Sequence, residues 1–353
     1  MTQRYGYHGK VLHIDLNAHL SWIEKPDDRF WRIYGGGGLL ATYYLLRECS
    51  AGIDAFDPTN LLILTSSVIA GHPYAGLARY SAAAKSPLTG GIGETCGEGP
   101  FGIALKGSGV DSIIIRGVAE RPTVVLVENG AVSFHDANTL WGLPVSQTVD
   151  QLEAQFGDAI HTAVIGPAGE NLVRFASIVT ERSYQAARMG MGAVMGSKKL
   201  KGIVIRGEHR PSVADPATCI RLTEHYRARM KANDLTRWQL EPPGFSAWVH
   251  LHGLDAALCT HNYRDATFEA ADHYAADAFM DYYLHEGNCP GCPNNCIKFF
   301  GVENGKEREE KAEAKAEGGV NSAGIDETYD VRAGAIHQEI AGGIGSESGY
   351  CGS

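Results

Sequence analysis

Three cysteines within eight positions, Cys289-Pro-Gly-Cys292-Pro-Asn-Asn-Cys296, are the sharpest chemical signal in the 353-residue chain. Two- and three-residue spacings in a turn-prone segment let three thiolates face one centre. Pro290 and Pro293 keep the segment from settling into a helix, and Gly287 and Gly291 allow tight curvature. A [4Fe–4S] cluster takes four cysteines, so three local thiolates need a fourth from elsewhere. A zinc ion could instead take His285 as its fourth ligand, in a His-x3-Cys-x2-Cys-x3-Cys arrangement. The spacing favours iron–sulfur over zinc, and a metal-free turn is the third reading. Cys49, Cys96, Cys219, Cys259 and Cys351 are scattered. A long, cysteine-sparse chain is unlike a secreted disulfide scaffold, so reduced thiols and a cytoplasmic location are expected.

Two glycine-rich stretches could bring backbone close to a ligand: Gly35–Gly38 and Gly90-Gly-Ile-Gly-Glu-Thr-Cys-Gly-Glu-Gly99. Neither gives the dinucleotide fingerprint. Gly91-Ile-Gly93 is followed by three residues before the next glycine, one too many. Gly190 to Lys198 resembles a phosphate-binding P-loop but ends Gly196-Ser197-Lys198, with the lysine and hydroxyl in the wrong order. Arg79, at the entry of an expected strand, gains a ligand role only if an anion lies beside it. No nucleophile elbow and no His-Glu-x-x-His helix occurs.

The elements that must position these groups read as strands mixed with helices. Lys10–Leu16 and Leu20–Glu24 form an expected hairpin, and Leu39–Glu48 an expected helix. Strands are expected at Leu61–Thr65, Tyr80–Lys85, Ser112–Gly117, Thr123–Val127, Ala131–His135, His161–Ile165, Phe175–Val179 and Gly202–Arg206, with a helix over Val145–Phe156. Hairpins mixed with longer connections argue for an α+β fold. Beyond Pro211 the pattern turns helical, at Pro216–Lys231, Phe245–Leu251 and Ala271–Leu284. The sequence therefore divides into residues 1–210 and a helical domain of residues 211–353. Lys306–Glu317 reads as a solvated charged run.

Composition narrows the partners. With 31 basic against 41 acidic residues the net charge is −10, which excludes the cationic field that nucleic acid binding relies on. The apolar run Leu61–Ala70 falls far short of a membrane span.

Taken together, Arg79-Tyr80, Lys85-Ser-Pro-Leu-Thr-Gly90, Ile165-Gly-Pro-Ala-Gly-Glu-Asn-Leu172 and Gly192-Ala-Val-Met-Gly-Ser-Lys198 precede the cysteine turn in order. This set resembles the aldehyde ferredoxin oxidoreductase family, whose members carry tungsten or molybdenum on two pterins beside a [4Fe–4S] cluster. The resemblance covers most of residues 5–300. It implies an N-terminal pterin-binding domain of two β-sheets, followed here by a truncated helical domain. By register it puts Arg79 against the pterin system. It also puts the backbone carbonyls of Cys96 and Gln185 on a Mg2+ between the pterin phosphates, with Gly97 and Glu98 next to the first. A carbonyl ligand does not depend on side-chain identity, so Cys96 and Gln185 are tolerable departures.

Other departures matter more. Tyr184 stands where the family has an arginine, and Gly37 replaces the arginine common in the first glycine loop. Arg182 and Arg188 are the nearby cations that could compensate. The family continues beyond Ser353 with the fourth cluster cysteine and two pterin motifs of the Asp-x-x-Gly-Leu type. Cys351 is the only late cysteine here, and the resemblance puts Glu339 in the place of the family's glutamate near the metal. The implied activity is oxidation of an aldehyde to a carboxylate, with electrons leaving through the cluster at Cys289, Cys292 and Cys296 to a ferredoxin-like acceptor. The competing expectations are an incomplete or non-catalytic subunit needing a complementary C-terminal chain or a second copy, and a zinc-stabilised interaction module.

Overall fold

A computed structural model of the chain describes residues 4–230 and 283–300, with 232, 233, 237, 240–242, 244, 264–267 and 280. The expected first hairpin is β1 (Val11–Asp15) and β2 (Leu20–Glu24). It is followed by α1 (Asp28–Tyr34), α2 (Gly37–Glu48), β3 (Leu62–Thr65), β4 (Arg79–Lys85), β5 (Ile92–Glu98), α3 (Pro100–Gly107) and β6 (Ser112–Arg116). The six strands form one sheet in the order β2-β1-β6-β3-β4-β5, in which only β1 and β6 run parallel.

A second six-stranded sheet comes from β7 (Thr123–Glu128), β8 (Ala131–Asp136), β9 (His161–Val164), β10 (Ile178–Thr180), β11 (Tyr184–Ala186) and β12 (Leu200–Arg206). Its order is β11-β10-β9-β12-β7-β8, with α4 (Val145–Phe156), α5 (Pro167–Glu170) and α6 (Met191–Ser197) between strands. Two mixed sheets with interspersed helices make the fold α+β. Then come α7 (Pro216–Met230) and the hairpin β13 (Tyr283–Gly287) with β14 (Ile297–Phe300). The chain divides into two units, Met1–Thr223 with Cys289–Cys292, and Glu224–Asn288 with Pro293–Ser353.

Within the first unit the inner faces of both sheets share one apolar core. Leu12, Leu64, Tyr80 and Ile113 of the first sheet join Val125, Ile178 and Ile203 of the second, with Phe101 of α3 and Val194 of α6. The alternation of each strand sends the other residues outward. On the outer face of the first sheet, α1 and α2 cover Val11, Ile63, Ala83 and Ile114 with Trp31, Leu40, Tyr44 and Leu45. On the second sheet's outer face, Val145, Val149 and Leu152 of α4 pack over Val124, Val164 and Val204. No helix among the described residues is long and apolar enough to cross a membrane.

Several elements differ from the sequence expectation. The glycine-rich stretch Gly90–Gly99 is mostly strand β5, paired along its length with β4. The tenth strand begins at Ile178 rather than Phe175, which is exposed. Leu284, expected at the end of a helix, lies in strand β13. The expected helix Phe245–Leu251, the charged run Lys306–Glu317, Glu339 and Cys351 lie outside the described residues.

Candidate functional site

Strand β5 is the edge strand of the first sheet, and its register with β4 decides what shares a face. Arg79 stands opposite Glu98, Ser81 opposite Cys96, and Ala83 opposite Glu94. Directly opposed residues in an antiparallel pair project to the same side. Because Tyr80, Ala82 and Ala84 enter the inner core, this row lies on the outer face. There Arg79, Glu94 and Cys96 are exposed, whereas Gly93, Thr95 and Gly97 between them are buried.

The row is bound together by polar contacts. The Arg79 guanidinium donates to Glu98 across the strand pair at 3.0 Å. Ser81 Oγ donates to Glu94 Oε1 at 2.7 Å and lies 3.6 Å from the Cys96 thiol. The glycine loop at the start of α2 closes on the same carboxylate: a Cβ on Gly38 would collide with the Glu94 carboxyl group. Gly102 of α3 serves the opposite side, where a Cβ would press within 2.6 Å of the Arg79 backbone. Arg79 is thus fixed at its main chain while its side chain stays open to solvent.

Strand β11 closes the site from the second sheet. Residues Glu181 and Arg182 carry φ of 50° and 68°, a left-handed pair that turns the chain sharply from β10 into β11. Such a conformation costs non-glycine residues on the order of 1 kcal/mol or more each, so it persists only where surroundings hold it. Here Arg182 donates to Asp150 at 2.6 Å and also pairs with Glu153, both on α4, while Glu181 accepts from His161 at 2.9 Å. Arg182 is therefore spent on fixing this turn, and the expectation that it could replace the lost cationic residue is corrected. The turn presents Tyr184 and Gln185. The Tyr184 ring packs over Gly99, where a Cβ would come within 2.6 Å of ring atoms, and Gly99 itself has a φ of 92°. Arg188 lies beyond, its backbone N–H donating to Thr95 Oγ1 at 3.1 Å.

Arg79, Cys96, Gly97, Glu98, Tyr184, Gln185 and Arg188 are thus gathered where β4, β5 and β11 meet. A cofactor bearing phosphates fits this place on two observations: an exposed guanidinium on β4 beside the edge strand β5, and the Gln185 side-chain nitrogen, which is buried without a hydrogen-bond partner. Buried polar atoms are ordinarily paired, so an orphaned donor marks a place for an incoming acceptor. Sequence reading missed Glu94 and Ser81, and missed that Glu98 is the partner of Arg79. The signal lay in the hairpin count, since reading Gly90–Gly99 as a strand would have set those pairs opposite one another.

The lysine of Gly196-Ser197-Lys198 proves structural. It is buried, donates to the Asn60 carbonyl at 2.5 Å, and burial lowers its pKa to about 8. Lys106 is likewise enclosed, donating to the Gly6 and Ser67 carbonyls at 2.6 and 2.5 Å.

The cysteine turn is tight, with the Cys292 N–H donating to the Cys289 carbonyl at 2.9 Å. Gly291 takes a φ of 73° where a Cβ would collide with the Pro73 backbone. Cys289 and Cys292 belong to the first unit and Cys296 to the second. His285, the alternative zinc ligand, packs edge-on against Phe299 at 4.4 Å between ring centroids. Among the described residues no three His, Cys, Asp or Glu side chains are grouped as they would be around an ion.

The aldehyde ferredoxin oxidoreductase N-terminal domain profile matches residues 11–207, and the profile of that family's domains 2 and 3 matches residues 221–329. The chain is 34% identical to the tungsten-containing aldehyde ferredoxin oxidoreductase of Pyrococcus abyssi over 83% of its own length and 48% of the relative's. It is 30% identical to the aliphatic sulfonate oxidoreductase WOR-like subunit of Pyrococcus furiosus, over 83% of this chain and 49% of that one. Among solved structures, the active-site complex of benzoyl coenzyme A reductase with 1,5-dienoyl-CoA is similar, with a TM-score of 0.75 and 26% identity. That likeness covers 97% of this chain and 54% of the other. The chain spans about half the length of the curated relatives it matches. On the matched profiles and the double-sheet fold, it belongs to the aldehyde ferredoxin oxidoreductase family of oxidoreductases.

Proposed function

We propose that this chain carries the cofactor-bearing part of an oxidoreductase that converts an aldehyde to a carboxylate. The observation that supports the reading is the approach of β11, carrying Gln185, to the edge strand β5, whose Cys96–Glu98 end pairs with the exposed Arg79 of β4. When bound there, a bis-pterin with tungsten or molybdenum would supply the two-electron and oxygen-transfer chemistry that side chains cannot. An aldehyde and water then give a carboxylate, three protons and two electrons.

The chain's own residues bind and orient. Arg79 offers a planar set of N–H donors suited to a phosphate or a polarised pterin edge. The main-chain carbonyls of Cys96 and Gln185 would offer the hard oxygen donors that a Mg2+ prefers. Arg188 adds a cation near them. Cys289, Cys292 and Cys296 would hold the [4Fe–4S] cluster that passes electrons singly to a ferredoxin-like acceptor. Proton transfer falls to a carboxylate, for which Glu339 is the candidate. We assign residues 1–210 to the pterin-binding domain and residues 211–353 to the helical domain with the cluster turn, in a cytoplasmic protein.

A second reading has the site completed by a complementary chain or a second copy. The two share one test. Replacing Cys292 with serine should abolish visible-blue absorbance and aldehyde-dependent reduction of ferredoxin by the assembled protein. Unchanged absorbance would count against cluster ligation at this turn.

A further inference from the structure

Resting on the cofactor reading above, we propose that Glu98 is an internal counter-anion that occupies Arg79 and tunes how tightly the cradle takes a phosphate-bearing ligand. The pair is built by the β4–β5 register, which sets the two residues directly opposite, with Nη1 and Oε1 3.0 Å apart. Both side chains remain partly open, at 45% and 33% exposure, so an incoming anion can reach the guanidinium without unfolding anything.

The strand end is held so that Glu98 cannot drift from this position. Gly97 lies against the Tyr80 ring and Gly99 against the Tyr184 ring, each too close for a Cβ. Glu98 is therefore the one side chain of this tripeptide, projecting to the face where Arg79 stands. Gly37 brings no charge from the α2 loop, and Arg182 is committed to Asp150 and Glu153. An anion approaching Arg79 meets a cation already paired, and must displace a carboxylate that then remains nearby.

An exposed ion pair of this kind is weak, so the competition changes affinity by about two- to fivefold rather than abolishing binding. The consequence is a cradle whose grip on phosphate is deliberately softened at one residue. Glu98 does not touch the reacting atoms; it is a positioning residue acting through Arg79.

The test is a double-mutant cycle read by calorimetry on the full chain, titrated with inorganic pyrophosphate and Mg2+ at fixed ionic strength, with thermal melting as a check on folding. Glu98→Gln should bind pyrophosphate about two- to fivefold tighter than wild type. Arg79→Gln should bind more weakly, and adding Glu98→Gln to Arg79→Gln should bring no gain. Equal affinity of wild type and Glu98→Gln, with loss in Arg79→Gln, would overturn the counter-anion role and leave the cradle reading standing. A gain from Glu98→Gln that persists without Arg79 would mean a general field effect and would also overturn it. No binding by any variant would remove the cradle reading and this inference together.

Discussion

The outer face of the first sheet carries two polar regions that behave in opposite ways. At the β1–β6 end, His13 and Tyr44 are buried beside helix α2 and anchor a hydrogen-bonded network whose charged members Glu24, Arg116 and Glu48 reach partly into solvent. His13 Nε2 meets Glu24 at 2.8 Å, the Tyr44 hydroxyl donates to the same carboxylate at 3.0 Å, and Arg116 donates to His13 Nδ1 at 3.1 Å and to Glu48 at 2.7 Å. Trp22 stacks on the imidazole, with ring centroids 4.9 Å apart. At the β4–β5 end, Arg79, Glu94 and Cys96 are exposed and Glu98 is half-buried. One helix produces both outcomes. The later turns of α2 bring Tyr44 and Leu45 down onto the sheet, while its glycine start has no side chains to cover the far strands. Polar groups that are covered must be satisfied internally; those left uncovered are available to a ligand.

Removing the cover should hurt most. Tyr44 is fully buried, so Tyr44→Ala is expected to cost about 3–5 kcal/mol in chemical denaturation, since it deletes a core aromatic and a partner of Glu24. A loss below about 1 kcal/mol would break the contrast, because it would mean the covered region is no more structural than the open one.

A smaller, pH-gated loss should come from His13. A guanidinium can only donate, so Nδ1 accepts from Arg116 and the neutral imidazole keeps its proton on Nε2 toward Glu24. Burial, opposed by the Glu24 hydrogen bond, holds the His13 pKa below its ordinary 6.5. The unfolded chain therefore binds a proton that the folded one refuses. Stability is full above about pH 6.5 and falls as pH drops through that value toward the depressed folded pKa. His13→Gln should flatten this slope in denaturation curves between pH 7 and 5, leaving the part due to His72, whose pKa burial also lowers. An unaltered slope would mean that His13 does not gate the network.

The open region should hardly register in stability. Arg79→Gln and Glu98→Gln are each expected to shift unfolding by less than about 1 kcal/mol, as exposed ion pairs do. Larger losses would place the pair among the structural contacts and remove the distinction.

Much of this was legible in the chain. The first hairpin, the helix Val145–Phe156 and the apolar strands follow from alternation and helical spacing, because burial on one face is written in side-chain type. Strand β5 was not, because its pairing with β4 is made by backbone and its inward positions are small. Gly93 must clear Met189 and Ser86, and Gly97 must clear Tyr80, so a strand there reads as a loop. Helix α1 had a usable signal in Asp27, whose side chain caps Phe30 N–H, and Gly35, left-handed at the other end. The candidate residues Arg79, Cys96 and Gln185 were proposed from motifs in order. The commitment of Arg182 to α4 and of Arg79 to Glu98 could not be, because each depends on a partner brought close only by the fold.

Metal analysis of the chain purified with and without a complementary C-terminal segment tests the central claim most directly. Iron together with tungsten or molybdenum is expected when the segment is present. Stoichiometric zinc, with neither iron nor a heavy metal under either condition, would contradict it.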